Sequence, residues 1–135
     1  MTYPLNKLDS MSAADADKLK TIGIRTTARL LDATSSLKGR KAVAARTGLS
    51  EAQLLEWANR ADCLRIKGMG KATTELLKAA GVTTLRELTF RNPARLAQAM
   101  AEANVKHKLV RVRPSEKSVG VLIERARKLP LKISY

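Results

Sequence analysis

Aromatic side chains are nearly missing from this chain: Tyr3, Trp57, Phe90 and Tyr135 are the only four in 135 residues. So few rings do not furnish the stacking platform that single-stranded bases need. A core without them is filled by Leu, Ile, Val, Ala and Met, which suits helices packed on helices. Cysteine and histidine occur once each, as Cys63 and His107. A lone cysteine excludes a disulfide framework and a cysteine-ligated zinc, and no nucleophile signature surrounds either residue. Acidic residues are scarce, 12 against 26 Lys and Arg. The one close pair, Asp15 and Asp17, is two apart, which on a helix points to different faces. The chain is therefore expected not to be an enzyme, with no catalytic residue, metal, cofactor or small-molecule substrate. No apolar run approaches the ~18 residues of a spanning helix, and the first ten residues lack an apolar signal core. A cytoplasmic location without a membrane partner is expected.

The net charge is +14, and it is unevenly placed. Residues 1–62 carry ten basic against seven acidic side chains, and residues 63–135 carry sixteen against five. The segment 104–135 alone has nine basic residues and two acidic ones. Such an excess points to a polyanionic partner, with nucleic acid first and an acidic protein surface behind it.

Nearly every segment reads as helix, which makes the fold class all-α. Ser12 with Asp15, Ser50 with Gln53, and Thr84 with Glu87 have the spacing of capping boxes, and Asn92-Pro93 pairs a cap with a first-turn proline. Leu54, Trp57, Ala58 and Ala61 share one face of a helix over about 50–61. Leu96, Ala97, Met100 and Ala103 do so over about 93–104, and Val119, Leu122, Ile123 and Ala126 mark a last helix ended by Pro130. A further helix is expected over about 38–46, and an extended connector over 108–113.

An internal repeat organises the chain. A shift of 58 residues lays Leu8 on Ile66, Met11 on Met69, Leu19 on Leu77, Gly23 on Gly81, Thr26 on Thr84 and Leu30 on Leu88. The expected organisation is one helical domain over 1–135, with a first copy at about 5–33, a helical connector at 37–62, a second copy at about 63–91 and C-terminal helices at 92–135. The copies differ at their hairpins. Ser10-Met11-Ser12 stands where the second copy has Gly68-Met69-Gly70, Asp9 stands opposite Lys67, and Ala13 opposite Lys71. Glycine permits the positive φ of a tight turn, whereas serine is a poor substitute there. The first copy therefore reads as a structural partner and the second as the binding copy.

The stretch Ile66 to Lys71 resembles the hairpin of a helix-hairpin-helix motif, which grips nucleic-acid phosphate without reading sequence. Several further runs carry a wider resemblance. They are Ile22-Gly23-Ile24-Arg25-Thr26-Thr27, Lys38-Gly39-Arg40-Lys41, Thr47-Gly48-Leu49-Ser50, Glu56-Trp57-Ala58-Asn59-Arg60-Ala61-Asp62, Arg65-Ile66-Lys67-Gly68 and Arg91-Asn92-Pro93. Together, over about residues 8–129, they are similar to a bacterial family known only as a domain of unknown function. The resemblance implies a compact domain of tandem helix-hairpin-helix (SAM-like) units. It departs at the first hairpin, where the family shows Gly-apolar-Gly.

The function expected is sequence-independent binding of nucleic acid, double-stranded DNA ahead of RNA. Gly68, Gly70 and Lys71 would offer backbone N–H groups at a helix start, and Met69 would point inward as a plug. Arg65, Lys67 and Lys71 would add charge at the hairpin, with Lys106, Lys108, Arg111 and Arg113 as a second cluster that continues to Lys117, Arg125, Arg127 and Lys128. Lys38, Arg40 and Lys41 lie at a helix start, where cations oppose the dipole, and hint at an external anion. Residues 42–57 are similar to a helix-turn-helix, but its recognition helix would expose Glu51 and Glu56 to DNA. Gly68-Met69-Gly70-Lys71 lacks the further residues of a nucleotide-binding P-loop. The rival function is an adaptor that docks on an acidic protein or assembles with its own copies.

Overall fold

The computed structural model describes residues 2–8 and 10–135; Asp9, placed opposite Lys67 by the repeat, lies outside them. Among the described residues there are eight α-helices and no strand, with one isolated bridge pairing Pro4 and Thr26. The helices are α1 (Ala13–Lys20), α2 (Thr27–Thr34), α3 (Leu37–Thr47), α4 (Glu51–Cys63), α5 (Lys71–Ala79), α6 (Leu85–Thr89), α7 (Pro93–His107) and α8 (Glu116–Arg127). A 3-10 turn, Leu5–Lys7, precedes α1. No helix among the described residues is long and apolar enough to cross a membrane.

Capping chemistry sets most of the boundaries. The Ser12, Ser50 and Thr84 hydroxyls accept from the N–H groups of Asp15, Gln53 and Glu87, and the Asn92 carboxamide accepts from Arg95. The 58-residue repeat is visible in the backbone. Met11 N donates to Leu8 O (3.2 Å), and Met69 N to Ile66 O (3.0 Å). At the end of each first helix, Ile24 N reaches Leu19 O (3.0 Å) and Val82 N reaches Leu77 O (2.8 Å), with Gly23 (φ +86°) and Gly81 (φ +94°) just before. This is the six-residue closure that a left-handed glycine makes at a helix C-terminus. Thr26 and Thr84 then cap the second helices, α2 and α6.

The hydrophobic core runs through both copies. Leu19, Leu30, Leu54, Leu76, Leu88 and Met100 are fully buried within it, and each leucine is worth roughly 1.5–3 kcal/mol of burial. Helix α2 packs on α3 and α4, α5 on α7, and α6 and α7 on α8. Helix α4 lies centrally, with eight of its residues buried, including Trp57. Its burial is concentrated at Leu54 and from Trp57 to Cys63, while Glu51, Ala52, Gln53 and Glu56 stay exposed at its start.

Both ends of the chain are tied to α2. Tyr3 N donates to Thr27 Oγ1 (3.0 Å) and Thr27 N to Tyr3 O (2.8 Å) at its start. After α2, Ser134 N donates to Ser35 O (2.8 Å), and buried Arg40 joins Thr34 O (2.9 Å) to Ser134 O (2.6 Å). Arg40 is thus spent on carbonyls rather than on an external anion, which corrects the expectation for that residue, while Lys38 and Lys41 stay exposed.

Candidate functional site

The second hairpin is built around an inward methionine. Ile66 and Met69 are each 1% exposed, while Lys67, Gly68, Gly70 and Lys71 lie on the surface. Gly68 has φ +90°, a conformation that L side chains rarely adopt. Gly70 is ordinary extended backbone (φ −107°, ψ 177°), so the turn does not require glycine there. A Cβ at Gly70 would meet nothing within 4 Å, which makes the start of α5 open to approach.

That start is chemically distinct. Helices α1 to α4 and α6 to α8 each begin at a Ser, Thr or Asn whose side chain accepts a first-turn N–H. Among the described α-helices α5 alone has no side-chain cap, because its N-cap is Gly70. Its first-turn donors and the positive end of its dipole face outward beside Lys67 and Lys71. The first copy is closed instead. Ser12 caps α1, and Ser10 Oγ accepts from Trp57 Nε1 (3.0 Å).

Helix α8 completes the second hairpin from outside it. Arg125 Nη1 donates to Lys67 O (2.6 Å), and a Cβ on Gly68 would stand 2.9 Å from the same nitrogen. Gly68 and Thr73 line a shallow groove of about 460 Å³ with Pro114, Ser115, Lys117 and Arg125. The groove continues along α8 past Val121 and Arg125 to Lys128 and Pro93. Lys117, Val121, Arg125 and Lys128 all lie on the exposed side of α8 at helical spacing. The sequence places Lys117, Arg125 and Lys128 in a basic cluster, but no local signal brings Arg125 to the hairpin.

The other expected site residues separate. The Arg65 side chain is 14% exposed and is committed to Asp62 Oδ1 (Nε, 2.7 Å) and Pro130 O (Nη2, 2.8 Å). It is a strut of the fold rather than a free cation. Lys106 lies in the last turn of α7, where the dipole favours a cation. Lys108 is the α7 C-cap at φ 51°. The connector that follows is irregular, and Asn104 clamps it at Val110 through Nδ2 to Val110 O and Val110 N to Oδ1, both 3.0 Å. Lys106, Lys108, Arg111 and Arg113 are all exposed, yet they stand outside the residues that line the groove at Gly68. The connector reaches that groove through Pro114 and Ser115.

Titratable groups near the core are held quiet. Burial, with a smaller push from Asp62, raises the Cys63 thiol to about 12, so it carries no thiolate at neutral pH. Burial also raises the Asp62 carboxyl, and its hydrogen bond and charge pairing with Arg65 pull back against this. Among the described residues, no three His, Cys, Asp or Glu side chains are grouped as metal ligands would be.

Residues 9–129 match the family described as a domain of unknown function, DUF4332, and the chain belongs to that family. No curated protein and no solved structure matches the chain.

Proposed function

We propose that this chain is a non-enzymatic, sequence-independent binder of nucleic acid, double-stranded DNA ahead of RNA. We read it as one helical domain of tandem helix-hairpin-helix units, working in the bacterial cytoplasm at the nucleoid. The observation that carries the reading is the uncapped start of α5, the one described α-helix with no side chain accepting from its first turn. Lys67 and Lys71 flank it, and the Lys117, Arg125 and Lys128 side of α8 adjoins it. Backbone donors, a helix dipole and lysines suit a phosphate diester, and none of them reads a base edge. Exposed Lys106, Lys108, Arg111 and Arg113 would add charge around that contact. Arg65, held by Asp62 and Pro130, does not take part.

The test is fluorescence anisotropy with a labelled duplex at several salt concentrations. With four phosphates engaged, log K falls against log salt with a slope of roughly −3 to −4. Lys67→Glu with Lys71→Glu lowers the affinity at least tenfold and flattens that slope by about two. No binding at micromolar protein in low salt, or an unchanged affinity of the double variant, overturns the proposal. Partners retained from nuclease-treated lysate would instead favour the adaptor that docks on an acidic protein.

A further inference from the structure

Three of the four aromatic side chains are accounted for by the fold. Trp57 is buried, Tyr3 packs against the core, and Tyr135 Oη donates to Asn59 Oδ1 (3.3 Å). Phe90, by contrast, stands 77% exposed at the end of α6. The backbone that carries it is held on both sides. Phe90 N donates to Glu87 O and Arg91 N to Leu88 O, both 3.2 Å. Arg127 Nε of α8 donates to Thr89 O (3.0 Å), and Arg91 Nη2 donates to Gly81 O (3.3 Å). A ring presented on a fixed turn loses little conformational freedom when a partner covers it.

The repeat sets this ring apart as it does the hairpin. A shift of 58 residues lays Asp32 on Phe90, Ala33 on Arg91 and Ala28 on Arg86. In the first copy the C-terminal segment closes that corner, with Lys132 Nζ 3.9 Å from Asp32 Oδ1 and Ser134 N donating to Ser35 O. In the second copy the corner is open and basic. Arg86 is exposed four residues before Phe90, and exposed Lys128 follows Arg127. The groove along α8 reaches Pro93, three residues beyond Phe90. The carboxylates of Glu124 and Glu87 are engaged, with Arg127 (2.7 Å) and Thr83 (3.3 Å) respectively. Cations beside a bare ring suit a partner with an anionic backbone and a flat face, which describes a nucleotide.

We propose that Phe90 stacks on the terminal base pair of a duplex, so that the protein prefers nucleic-acid ends to continuous helix. One ring serves, because a duplex end offers a single open base-pair face, whereas a single strand needs several rings in a row. The inference rests on the reading of the chain as a duplex binder and adds a preferred structure to it.

The experiment is competition against a labelled blunt duplex by a relaxed closed plasmid and by the same plasmid cut into short blunt fragments. The two competitors share their sequence and differ in their ends. Base–aromatic stacking is worth roughly five- to a hundredfold in affinity, so the fragments are expected to compete at least fivefold better per base pair. Phe90→Ala brings the fragments down to the level of the circle. Phe90→Leu, which keeps apolar bulk without a flat face, does the same, and Phe90→Trp retains the advantage. 2-Aminopurine in the terminal pair changes its fluorescence on binding, and in the middle of the duplex it does not. Equal competition by circle and fragments, a silent terminal probe, or an end preference that survives Phe90→Ala overturns the inference and leaves the duplex reading standing. So does a dimer of the free chain that Phe90→Ala dissolves, since the ring would then serve a second copy. No binding of the labelled duplex at all overturns both.

Discussion

Replacing Gly68 with alanine asks two things of the hairpin at once. The first is backbone strain, since φ is +90° and an L residue in left-handed space costs about 1–2 kcal/mol. The second is lodging a methyl group 2.9 Å from Arg125 Nη1. Arg125 is the end of a flexible exposed side chain, so it yields, and the bond it donates to Lys67 O goes with it. That bond is worth about 0.5–1.5 kcal/mol, which brings the whole change to about 1.5–3.5 kcal/mol. Gly23→Ala isolates the first contribution, because Gly23 has φ +86° with nothing within 4 Å of its Cβ. Equilibrium unfolding in urea, read from the single, buried Trp57, measures each variant. Repeating Gly68→Ala in an Arg125→Ala background closes a double-mutant cycle whose coupling is expected near 1 kcal/mol. Equal costs for Gly68→Ala and Gly23→Ala, with no coupling to Arg125, would refute the account of α8 as the outer wall of the hairpin.

Two further outcomes are expected. Ser10→Ala removes the acceptor of Trp57 Nε1 and destabilises by about 1 kcal/mol, an effect that disappears in a Trp57→Phe background. Cys63 has a folded-state value raised from 9.0 to about 12. Between those values the folded chain keeps a proton that the unfolded chain has lost, so the thiol makes stability fall as pH rises. Its share of the slope is about 1.4 kcal/mol per pH unit. Denaturation curves across that range should lose this share in Cys63→Ala, and a steepness identical to the parent's would contradict it.

Helix starts were legible because capping is local: a hydroxyl three residues before the N–H it accepts is written into adjacent sequence, as at Ser12, Ser50 and Thr84. The repeat was legible for the same reason, since Gly23 and Gly81 each close a helix that ends just before them. The arginines were not. Arg40 reaches Ser134, Arg65 reaches Pro130, Arg91 reaches Gly81, Arg125 reaches Lys67 and Arg127 reaches Thr89, all through backbone carbonyls. A carbonyl has no sequence signature, so nothing in the order of residues distinguishes an arginine that braces a loop from one that awaits a phosphate. Counting charges therefore overstates what the surface offers to a ligand. Lys67, Lys71 and Lys117, which accept no such structural duty, are the more telling cations of the candidate site.

The ties at either end of α2 make the backbone almost a closed ring. Tyr3 and Ser134 are held at opposite ends of one eight-residue helix, a rise of about 12 Å. Contacts so distant along the chain cost loop-closure entropy that neighbouring helices do not, so this seam belongs to the late events of folding. It also makes the fold suited to circular permutation: a short linker could join Tyr3 to Ser134, with the backbone opened in an exposed connector such as the one at Arg111 to Arg113.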